Sequence, residues 1–253
     1  FSVRREALKQ SEIFRTLYSY ICTKCGEASL SLPESEEALT LLLNLLHTPP
    51  APPSATAPIF DELNSLPPRT DYEPSTTIPL PILFKLFQLA DKYALPSETV
   101  DTLRAHLLAN AALQPLQVYG FARGMGWQDD ASEAGLCVRS LVKYAAEEVE
   151  VSIPSVRHYH ELLQLQDKRV TTLEQLLMAE EIFPYGYGVC KSHEKETAEI
   201  WQHARVELIA KLDTDTNVGQ EMYRAGFLQV NQCETCLKAW RSAVAMLSYK
   251  CRK

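Results

Sequence analysis

Two pairs of potential metal ligands stand in the last third of the sequence. The first pair is Cys190-Lys-Ser-His193 and the second is Cys233-Glu-Thr-Cys236. Two intervening residues let both ligands of a pair point at one centre, and three thiolates with one imidazole complete a closed tetrahedral zinc site. The sequence therefore predicts a structural zinc ion bound by these four residues.

Other roles for these cysteines stay open. Cys233 and Cys236 could be small apolar residues that pack at the start of a helix. They could also form a thioredoxin-type redox pair, although the strand–helix–strand context of such pairs is missing. If the pairing differs, His203 and Cys251 are reserve ligands. The separate Cys22-Thr-Lys-Cys25 has no second such pair nearby, and we interpret it as two incidental thiols at a helix end.

The two ligand pairs need elements that bring them together. They are separated by 39 residues, 194–232. Apolar residues at helical spacing predict one helix from Lys195 to Leu212, another that runs on to about Gln229, and a last helix that Cys233 opens. Two antiparallel helices between the pairs would return the chain to the first pair.

The strongest helical pattern lies earlier, from Leu80 to Ala94. Its apolar residues recur every three or four positions, which predicts a helix with one buried face. Further helices are predicted from Ser35 to His47 and from Glu98 to Asn110. Residues 48–79 contain nine prolines. Since proline lacks an amide donor, we interpret this stretch as a mobile insertion without regular structure.

Residues 113–178 are predicted to be helical throughout. One helix is expected from Ala131 to Glu148, and Ser155 is a plausible N-cap for the next. On that next helix Tyr159, Leu162 and Leu163 are expected to face inward. His158 and His160 stand two positions apart, so they point away from each other on a helix and are poor co-ligands.

Composition narrows the class of protein. The chain has 253 residues, of which 46% are hydrophobic, and a formal net charge of −7. That charge does not match nucleic acid or an anionic membrane, and no apolar run approaches the roughly 20 residues of a membrane span. Seven cysteines in a long helical chain with nine glycines favour an intracellular, reducing location over a disulfide scaffold. Phe1 is not an initiator methionine, so we expect a fragment or a processed chain, and no signal peptide is evident.

Catalytic motifs are not found. The sequence lacks GxSxG, a P-loop, GxGxxG and HExxH. We therefore do not expect an enzyme.

Several segments, in their order and spacing, resemble the BTB/POZ domains of fungal proteins. They are Ser11-Glu-Ile-Phe14, which is similar to an SxxF helix start, Leu30 to Ser35 followed by Glu37 to Leu43, and Leu86 to Leu95 (LFQLADKYAL). The resemblance implies a strand that ends at Phe1–Val3 and a short strand near Leu30. The family's dimer-forming strand would precede Phe1, so the resemblance does not favour a homodimer of this chain.

Downstream segments resemble the helical BACK-like extension of fungal BTB proteins. They are Pro115 to Ala122, Gly126-Trp127 and Tyr159 to Leu163. A Cys/His pair followed by CxxC and Trp also looks like the tail of such proteins, which supports the zinc prediction. The resemblance implies a protein–protein interaction module, and some BTB adaptors contact a cullin through a hydrophobic-x-Glu motif. Phe60-Asp-Glu62 fits that motif, so Phe60 and Glu62 are candidate partner-binding residues.

Together these observations predict a mostly α protein that is α+β at its N-terminus. Residues 1–112 would form a BTB/POZ-like domain that lacks its first strands and carries the insertion 48–79. Residues 113–178 would form the extension, and residues 179–253 a zinc-containing helical module. The predicted function is non-enzymatic protein interaction, as in a substrate adaptor for a cullin-RING ubiquitin ligase. A zinc-containing transcriptional regulator and a metal-dependent enzyme are the alternatives.

Overall fold

The chain is mostly α-helical. The computed structural model describes residues 3–21, 30–56, 63–66, 70–183, 188, 190–230 and 233–252. The chain folds into two compact units. The first consists of Phe1–Ala57 and Thr70–Gln114, and the second of Pro58–Arg69 and Pro115–Lys253.

The described part of the first unit contains five helices and one 3-10 turn, Pro74–Thr76. The helices are α1 (Arg5–Leu8), α2 (Glu12–Ile21), α3 (Glu36–His47), α4 (Leu80–Lys92) and α5 (Ser97–Ala109). The apolar face predicted for α4 is confirmed, because its leucines and Phe87 are at most 5% exposed. Ser35 caps α3, since its hydroxyl accepts a hydrogen bond from the Ala38 N–H.

Three sequence segments of the first unit contact one another around Tyr93. The Ser11 hydroxyl accepts from the Phe14 N–H (3.2 Å) and donates to the Tyr93 carbonyl (2.6 Å). The Phe14 ring stacks on the Tyr93 ring with centroids 5.2 Å apart. The Tyr93 hydroxyl donates to Glu34 (2.8 Å), which also pairs with Lys92. The start of α2, the segment before α3 and the end of α4 therefore form one packed cluster.

The strands predicted near the N-terminus are not found in the residues that the structure describes there. Val3 and residues 30–34 have no regular structure, and α1 begins two residues after Val3, at Arg5. The described residues contain one isolated β-bridge, between Ala55 and Tyr72, and no longer ladder. A strand needs neighbours to satisfy its backbone groups, and the described residues supply none to these segments. Phe1 lies outside the described residues.

The proline-rich stretch is anchored where the structure describes it. His106 of α5 donates through Nε2 to the Ala51 carbonyl (2.9 Å) and accepts at Nδ1 from the Ile78 N–H (3.4 Å). Asn110 donates to the Ile78 carbonyl (3.0 Å). Both flanks of the insertion are thus tied to α5 by side chains. Its middle, residues 63–66, belongs to the second unit.

The described part of the second unit contains seven helices and a 3-10 turn, Leu141–Lys143. The helices are α6 (Pro115–Gly124), α7 (Gln128–Cys137), α8 (Ala146–Ser152), α9 (Val156–Ala179), α10 (Glu194–Ile209), α11 (Val218–Val230) and α12 (Glu234–Cys251). One hydrophobic core lies among α9, α10, α11 and α12. None of the helices in the described residues combines the length and the apolar character that crossing a membrane requires.

The predicted single helix from Ala131 to Glu148 is wrong. It is divided into α7, the 3-10 turn and α8, with an extended backbone at Val138. Gly135 and the β-branched Val138 have low helix propensity, which favours an early end. As a result Val142 is 90% exposed instead of lying on a buried face.

The long helix α9 begins as predicted and packs less deeply than predicted. The Ser155 hydroxyl accepts from the His158 N–H, which confirms the N-cap. Leu162 is fully buried, but Tyr159 and Leu163 are more than a third exposed, so their predicted inward orientation is wrong. His160 lies exposed on the helix surface, as expected.

The C-terminal end of α9 is fixed by α10. Arg205, which is buried, donates to the carbonyls of Leu177, Met178 and Glu180 at 2.7–3.0 Å. The indole of Trp201 also donates to Glu180 (3.1 Å). The last carbonyls of a helix have no partner within that helix, so one arginine satisfies the terminus and joins the two helices.

Candidate metal centre

A helical hairpin brings the two ligand pairs together. α10 leads away from the first pair, the turn at Ala210–Asn217 reverses the chain, and α11 returns it to the second pair. The predicted antiparallel arrangement is therefore confirmed for the described residues 194–230. His193 is the residue before α10 and Cys233 the residue before α12, so both helices begin at the same place.

The four candidate ligands lie within reach of a single ion. The ligand atoms of Cys190, His193, Cys233 and Cys236 all lie within 4.8 Å of one another. The Cys190 and Cys233 sulfurs are 3.7 Å apart, and the Cys190 sulfur is 3.5 Å from His193 Nδ1. A tetrahedral zinc ion with bonds of about 2.3 Å to sulfur and 2.0–2.1 Å to nitrogen requires about 3.8 Å and 3.5 Å for these separations. The donor set fits a tetrahedral metal ion.

The local backbone favours thiolates at two of these positions. The Cys236 backbone N–H and the His193 side chain lower the pKa of Cys233 to about 6. The Ser192 backbone N–H and then His193 lower the pKa of Cys190, and the Cys233 and Cys190 sulfurs raise the pKa of His193. The N-termini of α10 and α12 add the favourable field of two helix dipoles. The surroundings therefore favour the deprotonated, negatively charged form of Cys190 and Cys233.

Cys236 is the buried member of the set. It is 1% exposed, and burial raises the pKa of its thiol to about 11. Thr197, one turn into α10, is buried and hydrogen-bonds this sulfur, which opposes the effect of burial. A metal cation would supply the charge that deprotonates Cys236, and the Thr197 hydroxyl would hold the thiolate in position.

A close contact between α11 and α12 positions the second ligand pair. The Trp240 indole, fully buried, donates to the Met222 carbonyl of α11 (3.0 Å) and meets the Trp201 ring edge-to-face at 5.0 Å. A Cβ atom at Gly226 would lie 1.9 Å from the Trp240 ring. Gly226 therefore allows the indole to pack directly on the α11 backbone, which sets where α12 begins.

The reserve ligands do not join the cluster. His203 is exposed on α10 and pairs with Glu207 (3.4 Å). Cys251 is buried at the end of α12, fifteen residues after Cys236 on the same helix, which is about 22 Å along the axis. Neither can complete a site that contains Cys233.

Other candidates cannot be placed. Phe60 and Glu62 lie outside the described residues, as do Cys22 and Cys25.

Sequence reasoning missed Thr197 and Gly226. Gly226 carries a usable signal, because a glycine inside a helix costs stability and usually has a packing reason.

Comparison of the chain with profiles of known protein families, with curated proteins and with solved structures finds no match in any of the three. The metal-binding role therefore rests on the donor set and on the geometry around it.

Proposed function

We propose that Cys190, His193, Cys233 and Cys236 bind one structural zinc ion that fastens the C-terminal helices of a non-enzymatic protein-interaction module. The observation that carries the proposal is the convergence of four ligand atoms within 4.8 Å from two separate pairs. Thiolate ligands select zinc over the oxygen-preferring magnesium and calcium ions. Four protein ligands fill a tetrahedral ion and leave no position for a substrate.

The zinc would act on the helical core. Structural zinc supplies folding free energy directly, and here it would tie the start of α10 to the start of α12. Both helices contribute to one buried cluster that includes Trp201, Trp240 and Leu247. Loss of the ion is therefore expected to loosen this core rather than only a surface loop.

The interaction role rests on the BTB-like motifs of the first unit. Their members contact one another: Ser11 and Phe14 pack on Tyr93, and Glu34 accepts from the Tyr93 hydroxyl. These contacts give the motif residues a common packing role and support the resemblance. A substrate adaptor for a cullin-RING ubiquitin ligase is the specific role that the resemblance implies.

Metal analysis tests the zinc proposal. Purified under reducing conditions, the chain should contain about one zinc per molecule, and Cys233→Ser should lose it. Cys137→Ser is the matched control, because Cys137 ends α7 and is not one of the four ligands, and it should retain the metal. A metal-free native chain, or full zinc content in Cys233→Ser, would refute the proposal.

A binding assay tests the adaptor role separately. Phe60→Ala combined with Glu62→Ala should weaken association with a purified cullin N-terminal domain and leave the zinc content unchanged. Equal cullin binding by the double variant and the unmodified chain would remove these two residues from the interaction.

A further inference from the structure

A short piece of the proline-rich insertion packs against the start of α11 and against α12. The segment Leu63–Leu66 packs at the start of α11 and against α12, and Ser65 is fully buried. Leu63 contacts the hydrophobic core of the hairpin. In the sequence this segment stands between Pro58 and Pro67, far from the helices that hold it.

One side chain recognises most of the segment. The Asn217 Oδ1 atom accepts from the Ser65 N–H (3.1 Å) and from the Ser65 hydroxyl (3.0 Å). The Asn217 amide donates to the Asn64 Oδ1 atom (3.3 Å), which also accepts from the Leu66 N–H (3.1 Å). Asn217 thus contacts the Asn64 side chain, which is bonded to its own main chain at Leu66, and the main chain at Ser65.

The two helices contribute one backbone contact and one side-chain contact. The Gly219 N–H, in the first turn of α11, donates to the Ser65 hydroxyl (3.1 Å). The Ser248 hydroxyl of α12 donates to the Val244 carbonyl of its own helix (2.8 Å) and lies 3.4 Å from the Leu63 carbonyl. A Cβ atom at Gly219 would lie 2.1 Å from that carbonyl and 2.1 Å from the Ser248 oxygen. The surface therefore requires glycine at position 219 in order to admit the segment.

These contacts are those of a peptide-recognition site. The Ser65 N–H is paired by the Asn217 side chain, and the Ser65 hydroxyl is paired by Asn217 and by the first turn of α11. Two leucines flank the Asn-Ser pair at the centre of the segment. Short peptides are commonly held in this way, with backbone hydrogen bonds for affinity and pockets for side-chain selection. The serine hydroxyl is buried with both a donor and an acceptor, so an unrelated side chain at that position would leave polar groups unpaired.

We propose that Asn217, Gly219 and Ser248 form a peptide-binding site for Leu-Asn-Ser-Leu segments of partner proteins. The chain's own residues 63–66 occupy it as an intramolecular competitor. Tethering gives such a competitor an effective concentration of order 1 mM, so a partner peptide binds strongly only when the segment is withdrawn. The site does not involve the cysteines, and the inference does not depend on the proposed zinc.

Peptide binding to an opened chain tests this proposal. Ser65→Lys places a cation in a fully buried position at the positive end of α11, which should expel the segment. A fluorescein-labelled synthetic peptide with the sequence of Asp61–Pro68 should then bind the full zinc-loaded variant in fluorescence anisotropy. The unmodified chain should bind it at least about tenfold more weakly, because its own segment competes.

Two controls make the result specific. Adding Gly219→Ala to Ser65→Lys should abolish binding, since the new Cβ would lie 2.1 Å from the position of the Leu63 carbonyl. Because that Cβ would also lie 2.1 Å from the Ser248 oxygen, the comparison requires the double variant to keep the circular dichroism and urea midpoint of Ser65→Lys. A peptide with lysine in place of serine should not bind the opened chain. If Ser65→Lys does not fold, as judged by circular dichroism, the milder Asn64→Ala with Ser65→Ala serves as the opened chain. A folded opened chain that fails to bind the peptide, or one that binds it equally with Gly219→Ala, would overturn the inference while leaving the metal content untouched.

Discussion

Gly226→Ala should destabilise the second unit although it adds a single methyl group. The new Cβ would lie 1.9 Å from the Trp240 ring, whereas carbon atoms pack at about 3.5–4.0 Å, so the helices or the indole must shift by roughly 1.5 Å or more. Trp240 has no free space, because it is fully buried against Trp201 and bonded to the Met222 carbonyl.

The magnitude follows from three contributions. Overpacking of this kind costs about 1–3 kcal/mol, and loss of the indole hydrogen bond adds about 1 kcal/mol. The higher helix propensity of alanine offsets about 1 kcal/mol of this destabilisation. We expect a net loss of about 1–3 kcal/mol, with a weakened affinity for zinc because the start of α12 moves.

Urea denaturation followed by tryptophan fluorescence measures this loss. Trp127, Trp201 and Trp240 are the chain's three tryptophans, and all belong to the second unit, so the signal reports that unit. Gly124→Ala is the matched control, because nothing lies within 4 Å of its Cβ position. Equal unfolding midpoints for the two variants would refute the packing role of Gly226.

Two further predictions concern buried polar side chains. Burial lowers the pKa of His106 below its ordinary value of 6.5, so the native first unit binds fewer protons than the unfolded chain. The part of the first unit's stability that depends on neutral His106 should be complete above pH 6.5 and should be lost as the pH falls through the lowered pKa. Thermal melts between about pH 5 and 8 should show this decline. His106→Gln should make the melting temperature less dependent on pH over the same range. Arg205→Met should lower the stability of the second unit by about 3 kcal/mol, because the carbonyls of Leu177 and Met178 lose this donor. The Glu180 carbonyl keeps the Trp201 indole as its donor. An unchanged urea midpoint for that variant would contradict this account.

Local features of the fold could be predicted from the sequence. The N-cap of α9 at Ser155 follows from a preference that acts within one turn of helix, and the buried face of α4 follows from spacing alone. The boundary within residues 131–148 could not be predicted in this way. There the apolar spacing continues although Gly135 and Val138 end the helix. The spacing of apolar residues carries no information about the low helix propensity of these two residues.

The candidate metal centre was predictable because ligand spacing is a short-range signal. The positions of Cys190 and Cys236 each follow from a pair of residues three apart. The environment of those ligands is a long-range property. Neither the burial of Cys236 nor the contact of Ser65 with Asn217, 152 residues away, can be read from spacing, because each depends on how complete helices pack.

The insertion of residues 63–66 affects the order in which the chain can fold during synthesis. Ser248, which lies beside the Leu63 carbonyl, leaves the ribosome 185 residues after it. Chains grow at about 5–20 residues per second, so the segment waits roughly 8–30 s for Asn217 and roughly 10–40 s for Ser248. The first unit ends at Gln114, so it can form early in that interval around an open loop, whereas closure of the second unit must wait for α12.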